Sequence, residues 1–174
     1  MTEDKILELL DKGEGFTVEF KECFNGLNDS VYETVASFSN RYGGYIIFGI
    51  TEDDDGKGVV HGVTRSAAPS MKKNFINMLN NPDKISPSLY LNLEEITIDG
   101  KLVLWVYIPM SSQVEFCNKK IFDRNGDSDQ DITKSSDLVA NLYNRKSSTY
   151  HEREIFPYVT TDHLHMELLT KVRQ

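Results

Sequence analysis

Seven cations are placed where they can meet phosphate: Lys21, Arg41, Lys72, Lys73, Lys119, Lys120 and Arg124. A guanidinium or ammonium engages a phosphodiester backbone by charge and hydrogen bonding, without reading bases. Lys72-Lys73, Lys119-Lys120 and Arg145-Lys146 form small basic foci. Arg124 precedes Asn125-Gly126, and a guanidinium beside the exposed amides of a glycine turn suits an anion. Lys21 follows Glu19 on an alternating segment, so it is equally placed to pair with that carboxylate. The chain as a whole is acidic, with net charge −8, much of it in Glu52–Asp55 and Asp123–Asp131. An acidic body weakens long-range attraction for a polyanion. Phosphate binding therefore requires folding to gather the cations on one surface.

Other chemistries lack their residues. There is no Gly-x4-Gly-Lys-Ser/Thr loop, and Gly43-Gly44 does not extend to a dinucleotide fingerprint. No His-Glu-x-x-His or paired Cys-x-x-Cys occurs. Cys23 and Cys117, far apart and without metal-ligand spacing, read as reduced thiols. His61 and His151 are scattered, and His163 and His165 lie two apart, on different faces of a helix. No run approaches the ~18 apolar residues of a membrane span. Met1-Thr2-Glu3-Asp4 lacks the basic and apolar blocks of a signal peptide, so the expected setting is the cytoplasm.

The elements that must position these residues follow from periodicity. Residues 3–12 read as a helix with Ile6, Leu9 and Leu10 on one stripe and Gly13 as its stop. Phe16–Lys21 alternates as a half-buried strand. Asn28 or Asp29 caps a second helix carrying Val31, Val35 and Phe38. Asn40 near its end can cap it or bond across to the glycine turn. Gly43-Gly44 supplies positive φ and close approach before Tyr45–Ile50, a central strand covered on both faces. An acidic turn, 52–58, leads to a partner strand over 59–63. A third helix within 66–80 buries Met71, Phe75, Met78 and Leu79. Leu89, Leu91 and Leu93 alternate, and a bulge near Glu94-Glu95 accounts for the phase slip before Ile96 and Ile98. Asp99-Gly100 turns a hairpin into Lys101–Ile108. A second hairpin near Asn118-Lys119 joins 114–117 to 121–124, and a helix over 136–146 buries Leu138, Val139, Leu142 and Tyr143. The expected fold is α/β (α+β), a mixed, largely antiparallel sheet flanked by helices. At 174 residues this is one domain over 1–146, with 147–174 as a linker and docking tail or the start of a further C-terminal region.

Three segments occur in order: Glu14–Lys21; Ala36-Ser37-Phe38-Ser39-Asn40-Arg41-Tyr42-Gly43-Gly44 running on to Gly49-Ile50, with acids after it; and Ile121-Phe122-Asp123-Arg124-Asn125-Gly126-Asp127-Ser128. This set resembles the Schlafen AlbA-type domain, also called the divergent AAA or DNA-binding domain of bacterial transcriptional regulators. Serines at 37 and 39 replace the usual alanines. Ser128 stands one position later than the serine of the late turn.

The resemblance implies a nucleic-acid-binding module of a transcriptional regulator, with DNA or RNA as partner. In nucleases of this kind it implies a three-carboxylate site, which maps to Glu14, Glu19 and Glu52, with Asp53 as the alternative third acid. Such a site can hold Mg²⁺ or Mn²⁺ and activate water against a phosphodiester. The acid spacing allows convergence only if residues 13–16 form a turn. The alternatives are therefore a metal-dependent endoribonuclease acting through that site, and a protein-interaction or homo-oligomerisation module, which the acidic charge favours.

Overall fold

The computed structural model describes residues 1–152, with side chains to residue 147. Helix α1 spans Glu3–Lys12, with Thr2 as its N-cap, Glu3 and Asp4 at the positive end of its dipole, and Gly13 at φ 80° as its stop. Strand β1 is Val18–Lys21 and helix α2 is Asp29–Asn40. Strand β2, Gly44–Phe48, is followed by the hairpin of β3, Ile50–Glu52, and β4, Gly58–Val60. Helix α3 is Ala68–Leu79, and β5 is Ile85–Ser86. Strands β6, Glu94–Ile98, and β7, Lys101–Ile108, form the Asp99-Gly100 hairpin. Strands β8 (Phe116–Cys117), β9 (Lys120–Asn125) and β10 (Ser128–Asp131) precede helix α4, Ser136–Glu152.

The expected α+β class, mostly antiparallel and flanked by helices, is borne out, with two four-stranded sheets rather than one. The first has order β1-β2-β7-β6, and its single parallel pair is β1 with β2. The second has order β10-β9-β8-β5, antiparallel throughout. Val31, Val35 and Phe38 of α2, Met71 and Phe75 of α3, Ile46 and Phe48 of β2, and Phe122 of β9 share the main core. Ile6, Leu9 and Leu10 of α1 cover the opposite face of the first sheet, against Ile47, Ile98 and Val103. A third cluster packs Leu142 of α4 on Val114, Ile121 and Ile132.

Helix α2 is buried nearly all round, which explains the small residues at 37 and 39. Gly43 sits at φ 72°, and a Cβ there would lie 2.6 Å from Ile108 O. A Cβ on Gly44 would lie 2.7 Å from the Phe38 ring. The pair therefore acts as the sequence predicts, one through backbone conformation and one through close approach.

Several local readings are corrected. Leu89–Leu93 is no strand. Its alternation is real burial against the main core, but it has no ladder partner. The slip at Glu94-Glu95 is the chain passing from that core, which holds Leu93, to the one holding Ile96 and Ile98. No bulge is needed. The strand after the acidic turn is only β4. Met78, Leu138 and Tyr143 are exposed, because α3 and α4 each bury a narrower stripe than their apolar content implies. Helix α4 continues through Ser147-Ser148-Thr149. Tail features assigned from Pro157 onward lie outside the described residues. No helix among the described residues is long and apolar enough to cross a membrane.

Asn40 bonds neither its own helix nor the glycine turn. Its Nδ2 donates to Glu115 O (2.9 Å) and Phe122 O (2.8 Å), and its Oδ1 accepts from Glu115 N (2.8 Å). It stitches the end of α2 to the second sheet in a fully buried position. Asn40→Ala strands these three backbone groups. The expected loss is about 3 kcal/mol, read as a lower urea midpoint at an unchanged m-value.

Candidate functional site

Arg124 lies inside β9 rather than in the glycine turn, and its side chain is fully buried. Its Nη2 donates to Glu19 Oε2 (2.5 Å) and to Gly15 O (2.9 Å), its Nε to Gly15 O (3.1 Å), and its Nη1 to Asp129 Oδ1 (2.8 Å). The guanidinium carbon stands 4.9 Å from the centre of the Phe38 ring. Asp129 is itself held by the Thr34 hydroxyl of α2 (2.6 Å). Burial works against the guanidinium charge, but Glu19 and Asp129 outweigh it and its pKa lies above the ordinary value. This arginine is turned inward, away from any external phosphate.

The bend before β1 places Glu14 within electrostatic reach of Glu19 and Glu52. Glu14 is pushed up to about 7, first by burial and then by the neighbouring charges of Glu19 and Glu52. The hydrogen bond from Phe20 N to its Oε1 (2.6 Å) and the charge of Lys21 act the other way. Glu19, however, gives one oxygen to Arg124 and the other to Lys21 Nζ (2.5 Å). Asp53 accepts from the backbone of Asp55 and Lys57 and shapes the β3–β4 turn. The donor set thus does not fit a divalent cation as arranged. Among the described residues no group of three or more His, Cys, Asp or Glu side chains is placed to hold one.

The expected cations are mostly paired locally. Lys21 meets Glu19, Arg41 meets Asp123, Lys72 meets Glu95, Lys120 meets Asp131, and Lys119 stands 3.9 Å from Asp83. Lys73 is exposed on α3. Nearby acids, most of them distant in sequence, pair with these charges.

One place differs. At the C-terminal end of α2, Asp123 receives two guanidiniums, from Arg41 (3.0 Å) and from Arg145 of α4 (3.0 Å). Two guanidiniums thus share one carboxylate. Arg41 also lies over the Tyr42 ring, 5.4 Å from its centre, and Tyr42 meets Phe16 edge-on at 6.0 Å. Tyr42 is 56% exposed and Phe16 44%. An arginine pair beside exposed rings can hold phosphate and stack a base at once. The sequence reading missed both rings. Phe16 lies in the bend before β1 rather than in the strand, and Tyr42 sits between Arg41 and the glycine pair.

Helix α4 secures this end of α2, which has no basic residue in its own last turn. Arg145 donates to Asn40 O (3.3 Å), and Lys146 Nζ donates to Ser39 O (2.6 Å) and Ser111 O (2.7 Å). Cations on the terminal carbonyls offset the helix dipole. Burial, followed by Arg145, lowers Lys146 to about 8. Burial pushes the neighbouring Glu115 up to about 7.

A family profile described as Schlafen, AlbA_2 matches residues 14–133. The chain belongs to this Schlafen AlbA_2 family. The matched region contains Glu14, Glu19, Arg41, Asp123 and Arg124, and the family is nucleic-acid-related. The domain is 31% identical over 134 residues to an uncharacterized ATP-binding protein, UU034, of Ureaplasma parvum serovar 3. That match covers 66% of this chain and 36% of the relative, so the chain spans about a third of that protein's length. Its fold is similar to the DIP2311 protein of Corynebacterium diphtheriae, with TM-score 0.52 and 19% identity over 74% of this chain and 28% of that one. The N-terminal domain of a RecG-related protein from Nitrosomonas europaea gives TM-score 0.46 at 22% identity, covering 60% of this chain and 72% of that one.

Two outcomes follow for the buried acids. Removing either partner of the Arg124–Glu19 pair leaves the other buried and uncompensated, so Arg124→Ala and Glu19→Ala are each expected to cost about 3–5 kcal/mol. The double variant should lose much less than the sum, as a urea-denaturation cycle would show. Glu14 is protonated in both folded and unfolded chains below about 4.5, while between about 4.5 and about 7 only the unfolded chain ionises. Stability is therefore expected to fall as pH rises through that window and to level off above it. Glu14→Gln should keep the bond from Phe20 N and flatten the slope, leaving the share that Glu115 contributes.

Proposed function

We propose that this Schlafen AlbA_2 domain binds nucleic acid through the Arg41–Asp123–Arg145 and Phe16–Tyr42 patch, as the nucleic-acid-contacting module of a larger transcriptional regulator. The observation that carries the reading is the pair of guanidiniums on a single carboxylate, set beside exposed aromatic rings. Family membership supports it. A longer relative, of which the chain covers 36%, fits a module that works within a larger polypeptide. Contacts of this kind grip the backbone and stack bases without reading an edge pattern, so binding is weakly sequence-selective and salt-sensitive.

A second reading, metal-dependent RNA cleavage, draws on the closeness of Glu14 to Glu19 and Glu52. It requires Glu19 to exchange Arg124 and Lys21 for Mg²⁺ or Mn²⁺. The internal ion pairs therefore favour binding over cleavage.

Titration of a labelled oligonucleotide at two salt concentrations tests the patch. Arg41→Ala is expected to weaken binding and reduce the salt slope by about 1. Tyr42→Ala should weaken binding and leave the slope unchanged, while Lys119→Ala should leave affinity near wild type. Loss of binding in Lys119→Ala with none in Arg41→Ala would move the interface elsewhere. Mn²⁺-dependent fragments abolished by Glu19→Gln would select the nuclease reading.

A further inference from the structure

The first sheet carries aromatic side chains on the face that α1 covers only in part. Tyr45 of β2 and Tyr107 of β7 are cross-strand partners with ring centres 4.9 Å apart, and Trp105 lies 6.3 Å from Tyr45. Directly opposed residues project to the same side of a sheet, and Tyr45 and Trp105 pack at the margin of the α1-side cluster. Tyr107 is 45% exposed, and Tyr45 and Trp105 are half-buried. Tyr107 is outside both core clusters of this sheet.

The two ends of this row differ in charge. The Tyr107 hydroxyl lies beside Gly43, 3.1 Å from where a Cβ would stand, and Gly43 directly follows Tyr42 of the arginine patch. At the other end Glu94 is paired with Trp105 and exposed. A ligand with planar faces along its length and anionic charge at one side matches that polarity, with phosphate toward the arginines and bases over the rings. A duplex buries the faces of its bases in its own stack. Only unpaired bases can be laid on protein aromatics.

We infer that the Tyr45–Trp105–Tyr107 face extends the Phe16–Tyr42 patch into a stacking platform, and that the ligand is single-stranded nucleic acid. The inference rests on the nucleic-acid reading above and narrows it to one class of ligand. A flat face of tyrosine and tryptophan carries polar handles at its rim and a large contact area with few rotatable bonds. It suits bases of any identity.

Trp105 is the only tryptophan in the chain, which makes it the reporter. The full chain is titrated with a 12-nucleotide oligothymidine, the matching oligouridine, and a 12-base-pair duplex. The single strands are expected to quench Trp105 emission at saturation, and the duplex to bind at least about tenfold more weakly. Tyr107→Ala should weaken single-strand binding by about fivefold or more, which corresponds to about 1 kcal/mol or more for a lost stacked base. Tyr107→Phe, which keeps the ring, should bind like wild type. Single-strand binding with unchanged Trp105 emission, insensitive to Tyr107→Ala, would overturn the platform and leave the arginine patch standing. Duplex binding as tight as single-strand binding would also overturn it. No binding of any of the three probes would sink both readings together. A concentration-dependent increase in mass, lost in Tyr107→Ala, would instead make this face a self-association surface and reject the platform.

Discussion

A guanidinium without access to water has to be neutralised and hydrogen-bonded within the protein, and Arg124 sets that condition for this domain. Its partners come from the loop before β1, from β1 itself and from β10, and its flat face rests on Phe38 of α2. Neither sheet nor the central helix can shift without leaving a buried charge uncompensated, and such a charge costs several kcal/mol. The same bond fixes the electrostatics of the acidic cluster. Glu19 has two cationic partners, Arg124 and Lys21, whereas Glu14, buried beside it and holding a backbone donor, is pushed up to about 7. Of the acids mapped to a metal site, Glu19 instead joins the two halves of the fold through Arg124.

The proposed binding patch lies at the rim of the motif segments rather than at the buried pair in their centre. Glu19 and Arg124 are buried where β1 meets β9. The exposed rings Phe16, Tyr42 and Tyr107 lie in the bend before β1, at the C-terminal end of α2 and on β7. The acidic surface elsewhere pairs most of the remaining lysines, so a ligand gains little from approaching any other side.

Much of the framework was legible in the sequence because its determinants are local. The stripe of α1, the glycine pair after α2, and the turns at Asp99-Gly100 and Asn118-Lys119 each need only a few consecutive residues to be read. The positive φ values at Asp99, Asn118 and Lys119 are those that such turns demand. The site was less legible because its geometry is set by distant partners. Nothing near Arg124 announces Gly15 or Glu19, more than a hundred positions earlier. Nothing near Asn40 announces the strand backbone that it holds. Leu89–Leu93 carried a true alternation, but burial on one side is not sheet pairing. The exposed rings carry no local signal, because Phe16 continues the alternation that β1 takes up only at Val18.

The attachment of α4 has a mechanical corollary. The helix reaches from the third hydrophobic cluster to Glu152 and grips the end carbonyls of α2 with two consecutive basic residues. One of these, Arg145, is also half of the charge pair on Asp123. Sliding or rotating α4 therefore cannot be separated from altering the charge beside Tyr42. The helix that clamps the end of α2 and the residue that tunes the patch are one element, so the packing of α4 and the electrostatics beside Tyr42 are set together.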